Sequence, residues 1–181
     1  MKTFERRRIL IGVTGSIAIY KACELVFALR KAEARPAVVM TECATRLVAP
    51  ETFRALSGEP VHTRLFADDH HAMPHISLAA EAELVIVAPA TANFLAKLAA
   101  GIADDLLSTL MLTVSCPVLL APAMHAQMWA HPAVQRNAEI VKHDGAHLVE
   151  PVAGALACGT EGKGKMAPVE EILRAAEGML P

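Results

Sequence analysis

Ile9-Leu-Ile-Gly-Val-Thr-Gly-Ser-Ile17 is the stretch of sequence that decides the fold. Its first five residues form a short, continuous apolar run, which is typical of a strand buried on both faces of a sheet. The next three residues break that run. Residues 17–34 then have a helical pattern, with Ser16 or Gly15 as the expected cap. The stretch therefore predicts a strand, a tight turn and a helix in immediate succession.

The same alternation continues along the chain. Further apolar runs predict strands at residues 37–40, 84–88, 117–121 and 146–149. Helical patterns predict helices at residues 93–100, 104–112, 132–143 and 168–179, while residues 41–57 suggest a loop with one or two short helices and residues 62–74 a loop. Alternating strands and helices imply an α/β fold, a parallel sheet with helices on both faces.

Length and composition limit the classes of protein to which this chain can belong. With 181 residues, 54% of them hydrophobic, and no linker, we expect a single domain over residues 1–181. A net charge of −2 gives no reason to expect a nucleic-acid or anionic-membrane partner. No apolar run reaches the roughly 20 residues that span a bilayer, and no signal peptide is evident. The apolar composition favours a homo-oligomer.

The four cysteines show no metal-binding or disulfide spacing, which predicts a reducing, cytoplasmic location. Cys23, Cys43 and Cys116 lie on or beside helix and strand patterns and read as small core residues. Cys158 differs, because it lies in Ala157-Cys-Gly-Thr-Glu-Gly-Lys-Gly-Lys-Met166, a segment too rich in glycine to be core. A thiol there gains little from packing, so a chemical role is plausible.

Several polar or glycine-containing segments directly follow predicted strands. They are Gly15-Ser16, Thr41, Pro89-Ala-Thr-Ala-Asn93 and Pro122-Ala-Met-His-Ala-Gln-Met128. In open parallel sheets, ligands bind beyond the carboxyl ends of the strands. The sequence therefore predicts one site built from several loops.

The first of these segments is an anion-binding candidate. Glycine lets the backbone approach a ligand, and the amides at a helix start attract a phosphate. The third glycine of a dinucleotide fingerprint and the lysine of a triphosphate loop are both missing. Thr41 offers a hydroxyl where dinucleotide binders prefer an acid, so a mononucleotide such as FMN fits better than NAD. The alternative is a plain strand-to-helix turn.

The loop at residues 89–93 offers small residues against which a flat ring could lie, with Thr91 and Asn93 as hydrogen-bonding partners. The alternative is that Asn93 merely caps the next helix. The two roles can coexist.

Together, Gly15-Ser16-Ile17, His75, the 89–93 loop, Pro122-Ala-Met-His-Ala-Gln-Met-Trp129 and the 157–166 segment resemble the homo-oligomeric flavin-containing cysteine decarboxylases. The similarity is greatest to the branch that acts on phosphopantothenoylcysteine in coenzyme A biosynthesis. It runs over nearly the whole chain. It implies a Rossmann-like (flavodoxin-like) subunit that binds FMN between subunits, in trimers or dodecamers, and a phosphopantothenate–cysteine ligase partner, separate or fused.

The resemblance also assigns residues. It implies His75 as the base and Cys158 as proton donor to an enethiolate. A metal site formed by His70, His71 and His75 is an alternative, but we expect no metal because no cysteine or carboxylate partner has convincing spacing. The implied substrate-binding residues are His125, Ala157 and Lys165. The implied FMN-binding residues are Gly15, Ser16, Ile17, Thr41, Thr91, Ala92, Asn93, Phe94 and Ala123.

Three of these positions depart from the family pattern. His125 stands where asparagine is typical, and we expect it to donate a hydrogen bond to the substrate carboxylate, or to pair with that carboxylate if protonated. Phe94 stands where threonine is common and either contacts the flavin or packs. Lys165 replaces a frequent arginine and could hold a phosphate or carboxylate as a point charge.

The implied reaction converts 4'-phosphopantothenoyl-L-cysteine to pantetheine 4'-phosphate. Flavin oxidation gives a thioaldehyde, CO2 is lost, and the enethiol is reduced again. One alternative is a peptidyl-cysteine decarboxylase, which stops at the enethiol and does not need Cys158. Another is a non-catalytic FMN-binding regulatory protein. His125 keeps that reading open, while the presence of His75 and Cys158 argues against it.

Overall fold

Six parallel strands form the central sheet in the computed structural model, which describes residues 2–66, 73–155, 159 and 161–180. They are β1 (Arg8–Val13), β2 (Arg35–Met40), β3 (Val61–His62), β4 (Leu84–Ala90), β5 (Val118–Pro122) and β6 (His147–Leu148). Their spatial order is β3-β2-β1-β4-β5-β6, so the direction of winding reverses between β1 and β4. The predicted Rossmann-like α/β sheet is confirmed. A reversal of this kind opens a crevice at the carboxyl ends of the two strands.

Helices cover both faces of the sheet. In chain order they are α1 (Ile19–Lys31), α2 (Glu42–Thr45), α3 (Pro50–Ser57), α4 (Pro74–Glu81), α5 (Ala92–Ala100), α6 (Leu106–Met111), α7 (Ala126–Ala130), α8 (Pro132–His143) and α9 (Val169–Glu177). A 3-10 turn at Lys2–Phe4 precedes them. Helices α1, α3 and α9 share one hydrophobic core with the sheet, and α4, α5, α6 and α8 share the other.

The central strands feed both cores because successive side chains of a strand point to opposite faces. In β1, Ile9 and Ile11 enter the core beneath α1, whereas Leu10 enters the core on the other side. The continuous apolar run is therefore the expected signature of a strand that is buried twice.

Some helices and strands begin or end at other residues than the sequence predicts, because local contacts outweigh the hydrophobic pattern. Helix α1 begins at Ile19, with Ala18 at its N-cap, and not at residue 17. Ser16 does not cap it; instead the Ile19 amide bonds the Ser16 carbonyl oxygen (2.9 Å), which closes a separate turn. Strand β4 continues through Pro89 to Ala90 and tolerates the proline through a register irregularity between Val87 and Ala90.

An antiparallel hairpin, β7 (Val152–Ala155) and β8 (Glu161–Lys165), stands apart from the main sheet. The sequence indicated only a glycine-rich segment at residues 157–166, because the strands lack apolar alternation. The hairpin is held by close backbone contact: the Met124 amide donates to the Gly164 carbonyl oxygen at 3.0 Å, and a Cβ on Gly164 would collide with the Met124 carbonyl oxygen. Glycine is required at that position.

Among the described residues, no helix is both long enough and apolar enough to cross a lipid bilayer.

Candidate active site

A cleft of about 490 Å³ opens where the winding of the sheet reverses. Its volume lies within the roughly 300–1,000 Å³ of small-molecule sites. The cleft is formed by the loops after β1, β4 and β5 together with the β7–β8 hairpin. The predicted site residues on its lining are Gly15, Ser16, Ile17, Thr91, Ala92, Asn93, Ala123, His125 and Lys165.

Hydrogen bonds fix these loops to one another. The buried Thr14 hydroxyl donates to the Pro89 carbonyl oxygen at 2.7 Å and accepts from the Thr91 amide at 3.1 Å. The Ala123 amide donates to the Ala90 carbonyl oxygen at 3.1 Å. Hydrogen bonds therefore fix the ends of β1, β4 and β5 relative to one another, and a site that positions a ligand requires such a fixed arrangement.

The turn after β1 packs directly on α2. A Cβ on Gly15 would lie 2.5 Å from the Cβ of Cys43, closer than two such atoms approach. Two residues before that cysteine, Thr41 does not line the cleft, yet its Oγ1 is buried without a hydrogen-bond partner among the described residues. A buried hydroxyl without a partner costs free energy, so it marks a position where a ligand atom would be favourable.

In the 89–93 loop, helix capping and exposure on the cleft belong to different residues. Thr91, not Asn93, caps α5: its Oγ1 accepts from the Phe94 amide at 3.3 Å. Asn93 lies exposed on the cleft. Phe94 does not line the cleft, because its side chain is only 2% exposed and packs in the core. Of the two roles that the sequence left open for Phe94, its side chain therefore has the packing role.

His125 combines two functions in one ring. It is the N-cap residue of α7, and its Nδ1 accepts a hydrogen bond from the Gln127 amide at 3.2 Å. An accepting nitrogen carries no proton, so the neutral ring holds its proton on Nε2. Protonating Nδ1 would break the cap. This geometry commits Nδ1 to the helix cap, so a contact of the ring with a ligand would be made through Nε2.

Lys21 was missed as a site residue. It lines the cleft, and its Nζ donates to the Met166 carbonyl oxygen at 3.0 Å. Burial, and then the charge of Lys165, lower the pKa of Lys21. No signal in the sequence marked this position, because Ile17 precedes the helix and a single lysine on a helix resembles any solvated one.

His75 lies apart from the cleft lining. It is in the first turn of α4, half-buried, and its Nδ1 is buried without a hydrogen-bond partner among the described residues. Ala157 and Cys158, like His70 and His71, lie outside the described residues. The structure thus brings most of the predicted cofactor residues together with His125 and Lys165, but Thr41, Phe94 and the predicted base do not line the cleft.

Comparisons with known proteins give matches over nearly the whole chain. The family model described as Flavoprotein matches residues 2–180. The coenzyme A biosynthesis bifunctional protein CoaBC of Mycobacterium tuberculosis is 49% identical over 174 residues, which are 96% of this chain and 41% of that protein. The chain therefore spans about two fifths of the length of the curated relatives that it matches.

Solved structures are similar over almost their whole length. The FMN-dependent cysteine decarboxylase SpaF has a TM-score of 0.84 at 33% identity, with 97% of this chain and 96% of that chain covered. A PPC decarboxylase mutant complexed with pantothenoylaminoethenethiol has a TM-score of 0.84 at 25% identity, with 95% and 97% covered.

Proposed function

This chain belongs to the Flavoprotein family, and from that membership and the cleft we propose that it binds FMN and decarboxylates 4'-phosphopantothenoyl-L-cysteine to pantetheine 4'-phosphate. The observation that carries the proposal is that segments far apart in sequence place nine predicted site residues on one cleft. The identity to CoaBC proteins and the likeness to a PPC decarboxylase support the substrate.

The residues present fit FMN. Gly15 and Ser16 form the tight turn expected at a phosphate, and Gly15 packs on Cys43, two residues after Thr41, whose hydroxyl has no hydrogen-bond partner among the described residues. Ala92 and Ala123 on the cleft have side chains small enough for a flat ring to lie against the backbone. When bound, FMN supplies a two-electron acceptor, so that a cysteine-derived acid can lose CO2 beside a C=S bond and then regain the electrons.

The chain's own residues would bind, orient and move protons. His125 Nε2–H donates to the substrate carboxylate and holds it until CO2 leaves. His75 accepts the proton of the substrate thiol as it is oxidised, and Cys158 gives a proton to carbon when the enethiol is reduced. The β7–β8 hairpin covers the cleft and excludes water, which strengthens each of these polar contacts.

We propose further that the protein is a homotrimer, or a dodecamer assembled from four trimers, and that a second copy supplies His75 to each cleft. Two observations support this. His75 does not line the cleft of its own subunit, and three residues of the cleft expose apolar side chains: Ile17 (66%), Tyr20 (55%) and Met128 (48%). Such a surface favours association.

Mixing two inactive variants tests the shared site. His75→Asn should bind FMN without releasing CO2, and Cys158→Ser should stop at the enethiol. If each site draws its base and its thiol from different subunits, a one-to-one mixed oligomer should regain about a quarter of the wild-type rate, since one site in four pairs two intact residues. A mixture that remains inactive after subunit exchange would place both residues in one subunit.

Residues 1–181 would act as a single decarboxylase unit in the cytoplasm, beside a phosphopantothenate–cysteine ligase, separate or fused. The bifunctional relatives support the ligase partner. In the described part of the chain, Cys23, Cys43 and Cys116 are free thiols, which supports a reducing compartment.

Turnover by the flavin-loaded protein tests the function. We expect CO2 and pantetheine 4'-phosphate from 4'-phosphopantothenoyl-cysteine, without net consumption of flavin. A peptide that ends in cysteine, offered in parallel, should be a poor substrate. Preference for that peptide would favour the peptidyl-cysteine branch, and bound flavin without any CO2 would favour a binding protein.

A further inference from the structure

One buried hydroxyl joins the turn after β1 to the loop after β4. Thr14 is 2% exposed and does not line the cleft. Its Oγ1 donates to the Pro89 carbonyl oxygen at 2.7 Å and accepts from the Thr91 amide at 3.1 Å. Thr91, by contrast, is half-buried and lines the cleft. Any effect of Thr14 on a ligand in the cleft is therefore exerted through its neighbours.

The two threonine hydroxyls share few hydrogens among several acceptors. Thr14 has one hydroxyl hydrogen, and its shortest contact assigns that hydrogen to Pro89. The Oγ1 atoms of Thr14 and Thr91 lie 3.3 Å apart, so a hydrogen bond between them would use the hydrogen of Thr91. That separation is long for two hydroxyls. The Thr91 hydrogen is therefore available to a closer acceptor in the cleft.

The rest of Thr91 is held in place. Thr14 accepts from its amide, and the Thr91 Oγ1 itself accepts from the Phe94 amide at 3.3 Å as the cap of α5. With the backbone and the side-chain oxygen both fixed, the O–H bond is the part of the residue that can still turn. A fixed oxygen with one uncommitted hydrogen is a preorganised donor.

We propose that Thr14 is a positioning residue for the flavin, which holds Thr91 so that the Thr91 hydroxyl donates to a hydrogen-bond acceptor of bound FMN. This inference rests on the proposed function, in which FMN occupies the cleft. A donor at the flavin stabilises the electron-rich reduced form more than the oxidised form, because hydrogen bonds strengthen as the acceptor gains negative charge. Thr14 therefore affects both the affinity for FMN and its reduction midpoint.

Three variants test the buried hydroxyl. Thr14→Val replaces the hydroxyl with a methyl group, and Thr14→Ser keeps the hydroxyl. The matched control is Ser57→Ala. Ser57 is also fully buried, and its Oγ donates to the Glu59 carbonyl oxygen and accepts from the Glu59 amide, both at 3.1 Å, outside the cleft. For each variant we would measure thermal unfolding, the FMN affinity of the flavin-stripped protein and the reduction midpoint of the bound flavin.

We expect Thr14→Val to weaken FMN binding about 5- to 50-fold, the loss typical of a buried hydrogen bond whose partners stay unpaired. The midpoint should become more negative. Thr14→Ser should restore both flavin measurements, and Ser57→Ala should lower the unfolding temperature without changing either of them. Wild-type affinity and midpoint in Thr14→Val, or the same flavin changes in Ser57→Ala, would overturn the proposal.

A double variant tests the route through Thr91. Thr91→Val removes the donor itself and should also make the midpoint more negative. If Thr14 acts through Thr91, the double variant should bind FMN no more weakly than the weaker of the two single variants, whereas independent losses would multiply. Multiplied losses would overturn the proposal. If Thr14→Val does not fold, Thr91→Val decides alone, because a wild-type midpoint without that hydroxyl contradicts its role as donor.

The positioning role and the proposed function fail in different ways. A wild-type protein that binds FMN but does not turn over 4'-phosphopantothenoyl-cysteine would contradict the function, and the flavin measurements would still decide the role of Thr14. Normal turnover by the wild type, with unchanged flavin properties in Thr14→Val, would overturn only the role of Thr14. A wild-type protein that binds no FMN would overturn both.

Discussion

At the scale of single residues, His125 stands where the resembled family typically has asparagine, and it caps helix α7. An imidazole whose Nδ1 caps α7 and whose Nε2 carries the proton offers the same pair of functions as an asparagine, one acceptor for the helix and one donor for the ligand. The presence of histidine at this position could not reveal the cap, because the sequence does not say which ring nitrogen accepts the backbone hydrogen bond.

This view of His125 predicts the effects of two variants. His125→Asn should retain kcat/KM within about threefold, because the amide can cap with Oδ1 and donate with Nδ2. His125→Ala should lower the free energy of unfolding by about 1 kcal/mol through the lost cap and reduce kcat/KM about 10- to 100-fold. Chemical denaturation and steady-state kinetics measure the two effects. A fully active alanine variant would remove His125 from the site.

At the scale of elements, the strands and long helices follow from periodicity, and the short elements do not. Strands β1, β2, β4 and β5 are apolar apart from Arg8 and Arg35 at the start of the first two, so their patterns predict them to within about two residues. Strand β3 and helix α7 are too short to show a period. The β7–β8 hairpin owes its shape to glycines that touch another loop, a contact that no local pattern carries.

Gly164 is the position where that contact can be tested. Gly164→Ala should separate the hairpin from the 122–126 loop, because its methyl group has no room beside the Met124 carbonyl oxygen. We expect KM to rise several-fold and the free energy of unfolding to fall by about 1–3 kcal/mol.

The matched control for that variant is Gly178→Ala. The control position has an ordinary helical backbone, and its added Cβ would make only ordinary contacts. It should leave both KM and stability essentially unchanged. If Gly164→Ala behaves like this control, close backbone contact does not hold the hairpin.

At the scale of the whole molecule, the two ends of the sheet have different tasks. The carboxyl ends of the strands form the cleft, whereas the amino ends carry ion pairs such as Arg7–Glu83 (2.6 Å). The hydrogen bond from Arg7, and then that from the Arg8 amide, lower the pKa of the Glu83 carboxyl. A carboxyl whose pKa is lowered by folding stabilises the protein above its unfolded-state pKa and loses that contribution as pH falls through its folded-state pKa.

Glu83→Gln should therefore lower the free energy of unfolding at neutral pH by about 0.2–1 kcal/mol, a small amount because the pair is partly exposed. The difference from wild type should shrink as the pH falls into the range where Glu83 is protonated, and turnover should not change. Denaturation at a series of pH values measures this. The control is Glu5→Gln, since Glu5 forms no ion pair among the described residues. A difference that grows on acidification would contradict the assigned sign.

The arrangement of the site was also only partly contained in the sequence. The strand-end loops could be placed together because parallel strands end on one side of a sheet. The position of His75 outside the cleft lining could not be predicted in this way, because His75 lies on α4 and not on a loop that follows a strand. Lys21 could not be predicted as a residue of the cleft for a simpler reason, because a single lysine on a helix resembles any solvent-exposed lysine.

The most direct test of the account is a titration of the flavin-stripped protein with FMN, followed by the visible absorbance of the bound flavin. We predict saturation at one FMN per chain in the wild-type protein, and a large loss of affinity in Gly15→Ala, whose methyl group has no room beside Cys43. A wild-type protein that stays colourless at saturating FMN, or a Gly15→Ala variant that binds it as tightly, would contradict a flavin site at the β1–β4 crevice.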